Sequence, residues 1–181
     1  MGVTISHKLG ANKIYIKSIL DQAEQVANFI KKEAIRTNLA VSIRRMSDTS
    51  LLIDISGCET LGFVFQSASD FIKNHTYLSD VRDIEEGYMS KEYPQNEKWY
   101  CYDFCKTQYA GNIIAHKWVA DLIKVVASRC FYSYINDERD YYYSGKLEDA
   151  GEAIKDNGTL INNLMGKFKD LGHDVITPNT K

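Results

Sequence analysis

Proline is nearly absent, with 2 residues in 181, and no low-complexity tract interrupts the chain. Pro-rich and linker-like architectures are excluded on that ground. No apolar run reaches the length of a membrane span, and the N-terminal MGVTISHK lacks the apolar core of a secretory leader. The four cysteines, Cys58, Cys101, Cys105 and Cys130, fall at no disulfide-framework or zinc spacing. Without a leader they are read as reduced thiols of a cytoplasmic protein. Basic charge is not in excess either, since 22 Lys and Arg against 24 Asp and Glu leave a net charge of −2. Counterion release at a duplex needs a basic surplus, so neither nucleic acid nor membrane is expected as a partner. Total charge is silent, however, on how charge is distributed. The glycine-lysine-serine order of a P-loop and the spaced glycines of a dinucleotide fingerprint are also missing.

What is present is an ordinary globular composition, 44% apolar and 25% charged, enough for one domain with a full core. Val3 to His7 alternates as a first strand and ends in a polar turn, His7 to Asn12. Asn12 then caps a helix from Lys13 to Arg36, whose Ile16, Ile19, Leu20, Ala23, Val26, Ala27, Ile30 and Ala34 recur at three- and four-residue steps. Strands follow at Ala40–Met46, Leu51–Ile55 and Leu61–Phe65, separated by turn chemistry at Ser47–Ser50 and Ser56–Glu59. Ala68–Lys73 reads as a short helix inside an irregular insertion at about 67–97. Trp99–Lys106 is a fifth strand, Asn112–Ser128 a second long helix and Cys130–Asn136 a sixth strand. An acidic-tyrosine loop from Asp137 to Tyr143 leads to helices at Leu147–Lys155 and Leu160–Leu171, split at Asn157-Gly158.

This order, two βαβ units around a hairpin, predicts an α+β protein with a ferredoxin-like, split-βαβ sandwich on one mostly antiparallel sheet. Residues 1–136 form its core domain, and 137–181 add a loop and helices packed on it. Similar lysine- and glycine-bearing strand-to-helix connections at His7–Asn12 and Lys106–Asn112 suggest an internal echo. It would set the two corners side by side.

The chemistry-bearing residues gather around the second corner. Lys106, Thr107, Gln108 and Tyr109 precede Gly111 and the capping Asn112. Free backbone N–H groups and the positive end of a helix dipole there, with a lysine beside them, make an anion cradle. The same residue types also make a plain strand-to-helix connection. His7 and Lys8 would join the cradle from the first corner, and His116 lies in the first turn of its helix. Asp137 or Glu138 would accept ribose hydroxyls, while Tyr109 or the Tyr141–Tyr143 run, Tyr142 within it, would cover the base or sugar.

A metal site built on His7, Cys101, Cys105 and His116 is not expected, because strand geometry separates the two sulfurs by about 13 Å. Cofactors are expected to be none. The leading functional expectation is a module binding a small anionic ligand, a nucleotide or nucleotide-derived metabolite. A protein-interaction or inhibitor module using the tyrosine loop is the alternative. A small hydrolase using Cys105 or His116 is the third, since a thiol near a helix N-terminus can be activated as a thiolate.

Overall fold

The computed structural model describes residues 3–75, 95–107, 113–138 and 140–146. Its elements are β1 (Thr4–Asn12), α1 (Lys13–Ala34), β2 (Val41–Ser47), β3 (Ser50–Ile55), β4 (Leu61–Val64), β5 (Gln66–Ser67), α2 (Ala68–Asn74), β6 (Lys98–Lys106), α3 (Ile113–Ala127), β7 (Tyr132–Asp137) and a single turn of helix, α4 (Tyr141–Ser144). Most of the expected insertion and both expected C-terminal helices lie outside the described residues.

The α+β class holds, but the strands form two antiparallel sheets where one was expected. The larger sheet has the order β5-β6-β1-β7, and β2-β3-β4 form the smaller one. Both β6 and β7 run antiparallel to β1 and flank it, so β6–α3–β7 is a split βαβ unit with β1 in the gap. The first βαβ unit does not close the same way, because β2 pairs with β3 in the other sheet.

Strand β1 is also longer than its sequence pattern suggested. His7–Asn12 is not a turn. It continues the ladder with β6 from Thr4↔Lys106 to Asn12↔Lys98. The reason is burial: Leu9 and Ala11 keep the inward alternation of Ile5 and His7 and are fully covered. Asn12 does cap α1, its side-chain oxygen accepting the Ile14 N–H at 3.1 Å. The apolar stripe of α1 is buried at Ile16, Ile19, Leu20, Ala23, Ala27, Ile30 and Ala34, where the helix packs on α3 and on β1, β2 and β3.

Directly paired residues of an antiparallel ladder share a face. The inner face of the larger sheet therefore carries Ile5, His7 and Leu9 with Cys101, Asp103 and Cys105 of β6 and Ile135 and Asp137 of β7. The outer face carries Ser6 and Lys8 with Tyr102 and Phe104 of β6 and Tyr134 of β7. Helix α2 covers one end of that face, where Phe71 packs on Tyr100 with ring centroids 5.6 Å apart.

The two sheets meet where β4 lies against β6. Gly62 N–H donates to Asp103 Oδ2 at 2.6 Å, and a Cβ on Gly62 would stand 2.8 Å from that oxygen, so the close approach requires glycine. Burial pushes the Asp103 carboxyl up to about 6, partly offset by the Gly62 hydrogen bond. Across the ladder, burial lowers His7 to about 4. The His7 ring lies 5.2 Å from that of Phe63, its Nε2 is 3.8 Å from Cys101 Sγ, and its Nδ1 has no partner.

These two groups drive stability in opposite directions with pH. Below 6.5 the unfolded chain protonates His7 while the fold resists until about 4, so its contribution falls as pH falls. Between about 6 and 3.8 the folded chain holds a proton on Asp103 that the unfolded chain releases, so this contribution rises as pH falls. Replacing Asp103 with Asn is expected to stabilise the protein by about 1 kcal/mol at pH 7, allowing for partial exposure. It should also steepen the loss of stability on acidification. Melting curves by circular dichroism between neutral pH and pH 4 check this, and parallel wild-type and variant profiles would contradict it.

Candidate functional site

The corner where β6 ends is built from the backbone outward. Thr107, one residue past β6, donates its N–H to Val3 O at 2.9 Å, extending the strand pairing one step beyond Thr4↔Lys106. That step draws the Thr107 side chain fully under cover. Its Oγ1 lies 3.4 Å from the same carbonyl and 2.8 Å from Nδ1 of His116. His116 occupies the first turn of α3 and is also fully buried.

On the far side of the imidazole, Nε2 stands 3.5 Å from Asp137 Oδ1, with both side chains inaccessible to solvent. That separation is too long for a good hydrogen bond, and among the described residues Nε2 has no partner of hydrogen-bond geometry. Asp137 Oδ2 accepts the Tyr142 N–H at 2.8 Å, which fixes the start of α4 to the end of β7. Next to it, Glu138 Oε2 accepts the Thr4 N–H at 2.9 Å. The Tyr141 ring stands edge-on to His116 at 6.1 Å, and Lys124 Nζ lies 4.9 Å and 5.3 Å from the Tyr141 and Tyr142 ring centroids.

Of the expected ligand residues, Thr107, His116, Asp137, Glu138 and Tyr142 meet at this one corner. Gln108, Tyr109 and Asn112 lie outside the described residues. His7 and Lys8 do not join them, which corrects the expectation of adjacent corners. An antiparallel ladder puts the exits of β1 and β6 at opposite ends, so Asn12 and Lys106 stand about 27 Å apart. His7 points into the core, whereas Lys8 points to the outer face, its Nζ 5.3 Å from the Tyr134 ring centroid. Lys106 borders the corner, but its ammonium is 3.6 Å from Glu59 Oε1 and 5.9 Å from the Phe104 ring centroid.

The threonine–imidazole–carboxylate order resembles a proton relay, yet the hydroxyl at its head is sealed, so these residues hold the corner in shape. Cys105 is likewise far from an activated nucleophile. Its thiol contacts the Glu59 carbonyl at 3.0 Å, and a hydrogen bond with Cys58 together with burial raises its pKa well above the ordinary value. Among the described residues no group of three His, Cys, Asp or Glu side chains is placed to hold a metal ion. The contributions of Val3, Thr4 and Lys124 escaped sequence reasoning, because they act through backbone groups and a contact with ring faces that no motif marks.

Thr107→Val should cost about 1 kcal/mol and Asp137→Ala about 2 kcal/mol, the latter leaving the Tyr142 N–H unsatisfied. Because both act through His116, the double variant should depart from additivity by at least about 0.5 kcal/mol in urea unfolding; strict additivity would show that the chain is not coupled. No protein-family model, curated protein or solved structure matches this chain.

Proposed function

We propose that this protein is a binding module for a small anionic ligand of nucleotide type, seated at the corner where β6 and β7 end and α3 begins. The observation that carries the reading is the convergence of Thr107, His116, Asp137, Glu138 and Tyr142, from three separate stretches, beside the first turn of α3. A 15-residue helix turns the positive end of its dipole toward this corner, which suits a phosphate. The sealed Thr107–His116–Asp137 chain holds the helix start against the sheet, so the amides are oriented before a ligand arrives. Lys106 is the neighbouring cation. Its exposed pairing with Glu59 is weak enough for a phosphate to displace. The Tyr141–Tyr143 turn, braced by Lys124, supplies rings for a base or sugar.

The split unit β6–α3–β7 supports a ferredoxin-like relation for this half of the molecule. Residues 1–136 then act as the body of a cytoplasmic protein and 137–181 as the segment that follows it. A protein-interaction role is the second reading, favoured by Tyr143, which is 64% exposed at the same turn.

Titration with adenosine and guanosine nucleotides, with phosphate as a control, should raise the melting temperature. Lys106→Ala should abolish that rise and leave the unliganded melting temperature within about 1 kcal/mol-equivalent of wild type. No shift at about millimolar nucleotide, a generous concentration for a weak site, overturns the reading. A partner captured by wild type and lost on changing Tyr141–Tyr143, with Lys106→Ala neutral, would establish the second.

A further inference from the structure

Two of the four cysteines meet where the smaller sheet joins the larger one, and the corner's chemistry uses neither. Cys58 lies in the turn between β3 and β4, closed by its own N–H on Ile55 O at 2.9 Å. Gly57 takes a φ of 79° there, the left-handed conformation that lets the chain reverse within four residues. Cys105 is the penultimate residue of β6. Two bonds pin these stretches together. Glu59 donates its N–H to Lys106 O at 2.9 Å, and Cys105 Sγ donates to Glu59 O at 3.0 Å. Residue 58 is thereby set against residue 105, and the two side chains are hydrogen-bonded to each other. Both carry reduced thiols and both belong to the core. The other two thiols have different partners. Cys101 Sγ stands near His7 and the Gly62 carbonyl, and Cys130 Sγ donates to Val126 O at 3.3 Å.

We infer that Cys58 and Cys105 form a dithiol that a peroxide closes into a disulfide, stapling the smaller sheet to the larger one. In the first step the Cys58 sulfur gives two electrons to the peroxide, so that thiol and hydrogen peroxide become sulfenic acid and water. In the second, the Cys105 sulfur attacks the sulfenic sulfur. The S–S bond forms, the S–O bond breaks, and the departing hydroxide leaves with the Cys105 proton as a second water. The order follows from the surroundings of each thiol. Cys105 is held in its protonated form by the hydrogen bond with Cys58 and by burial, and its strand is fixed in a ladder with β1. Cys58 sits in a short turn beside Glu59, whose side chain is 39% exposed, and such a turn opens to solvent at lower cost than a paired strand. With the resolving thiol already in contact, the sulfenic acid is consumed before further oxidation. The loop so closed contains β4, β5, α2 and the stretch up to β6, and a cross-link across a long loop removes much of the unfolded chain's freedom.

Full-length protein treated with hydrogen peroxide and then unfolded in denaturant tests the pair. Titratable thiols should fall from four to two, and peptide mapping without reductant should find Cys58 joined to Cys105. The oxidised protein should melt about 5–10 °C higher than the reduced one, and dithiothreitol should restore the original curve. Cys58→Ser should lose both the cross-link and the shift, whereas Cys130→Ser should retain both. The cross-link is read directly in the wild-type chain, so the outcome does not depend on either variant folding. Any one of three results overturns the inference. The first is survival of all four thiols under conditions that oxidise glutathione, and the second is a disulfide that includes Cys101 or Cys130. The third is a Cys58–Cys105 bond that lowers the melting temperature, which would show the two sheets forced apart and not stapled.

Discussion

Strand β1 is hydrogen-bonded along both edges, and the placement of every candidate residue follows from that position. A strand of nine residues paired on each side has no freedom of register, because a shift of one residue would exchange Ile5, His7 and Leu9 for Ser6, Lys8 and Gly10 on the covered face. Its antiparallel relation to β6 and β7 brings their C-terminal ends together at its own N-terminal end. Thr107 and Asp137 thus arrive as neighbours, and α3, which joins the two strands, begins beside them.

Polar groups buried around this strand are of two kinds. Thr107 with His116 and Tyr142 with Asp137 form two buried hydrogen-bonded pairs that meet at the imidazole, and low dielectric strengthens such bonds. His7 and Asp103 are instead held against their preferred charge states by desolvation. Their opposite signs make the cost of each partly cancel the pH dependence of the other. A core can keep both groups in this way without acquiring a sharp acid transition.

Charge is sorted between the faces of the larger sheet by the same alternation. Carboxylates of β6 and β7 turn inward, where Asp103 secures the second sheet through Gly62 and Asp137 secures α4. The lysines turn outward among tyrosine and phenylalanine rings. At the neighbouring corner one carboxylate, Asp137, and one imidazole, His116, are sealed from water.

The sequence by itself determined the α+β class, the apolar stripe of α1 with its Asn12 cap, the hairpin strands and α3. These rest on periodicity and capping, which are local properties of the chain. Of the site, it marked Thr107, His116, Asp137, Glu138 and Tyr142 by residue type, without the means to say that they meet. Tertiary structure alone decided that the polar-looking stretch from His7 to Asn12 is strand, since Leu9 and Ala11 needed a covered face and β6 offered a ladder along its whole length, with β7 pairing from Ile5 to Gly10. It also separated the exits of β1 and β6, divided the strands between two sheets and turned His7 away from Lys8. Pairing partners lie as far apart as Ile5 and Asp137 in this chain, and no short-range pattern encodes which edges will meet.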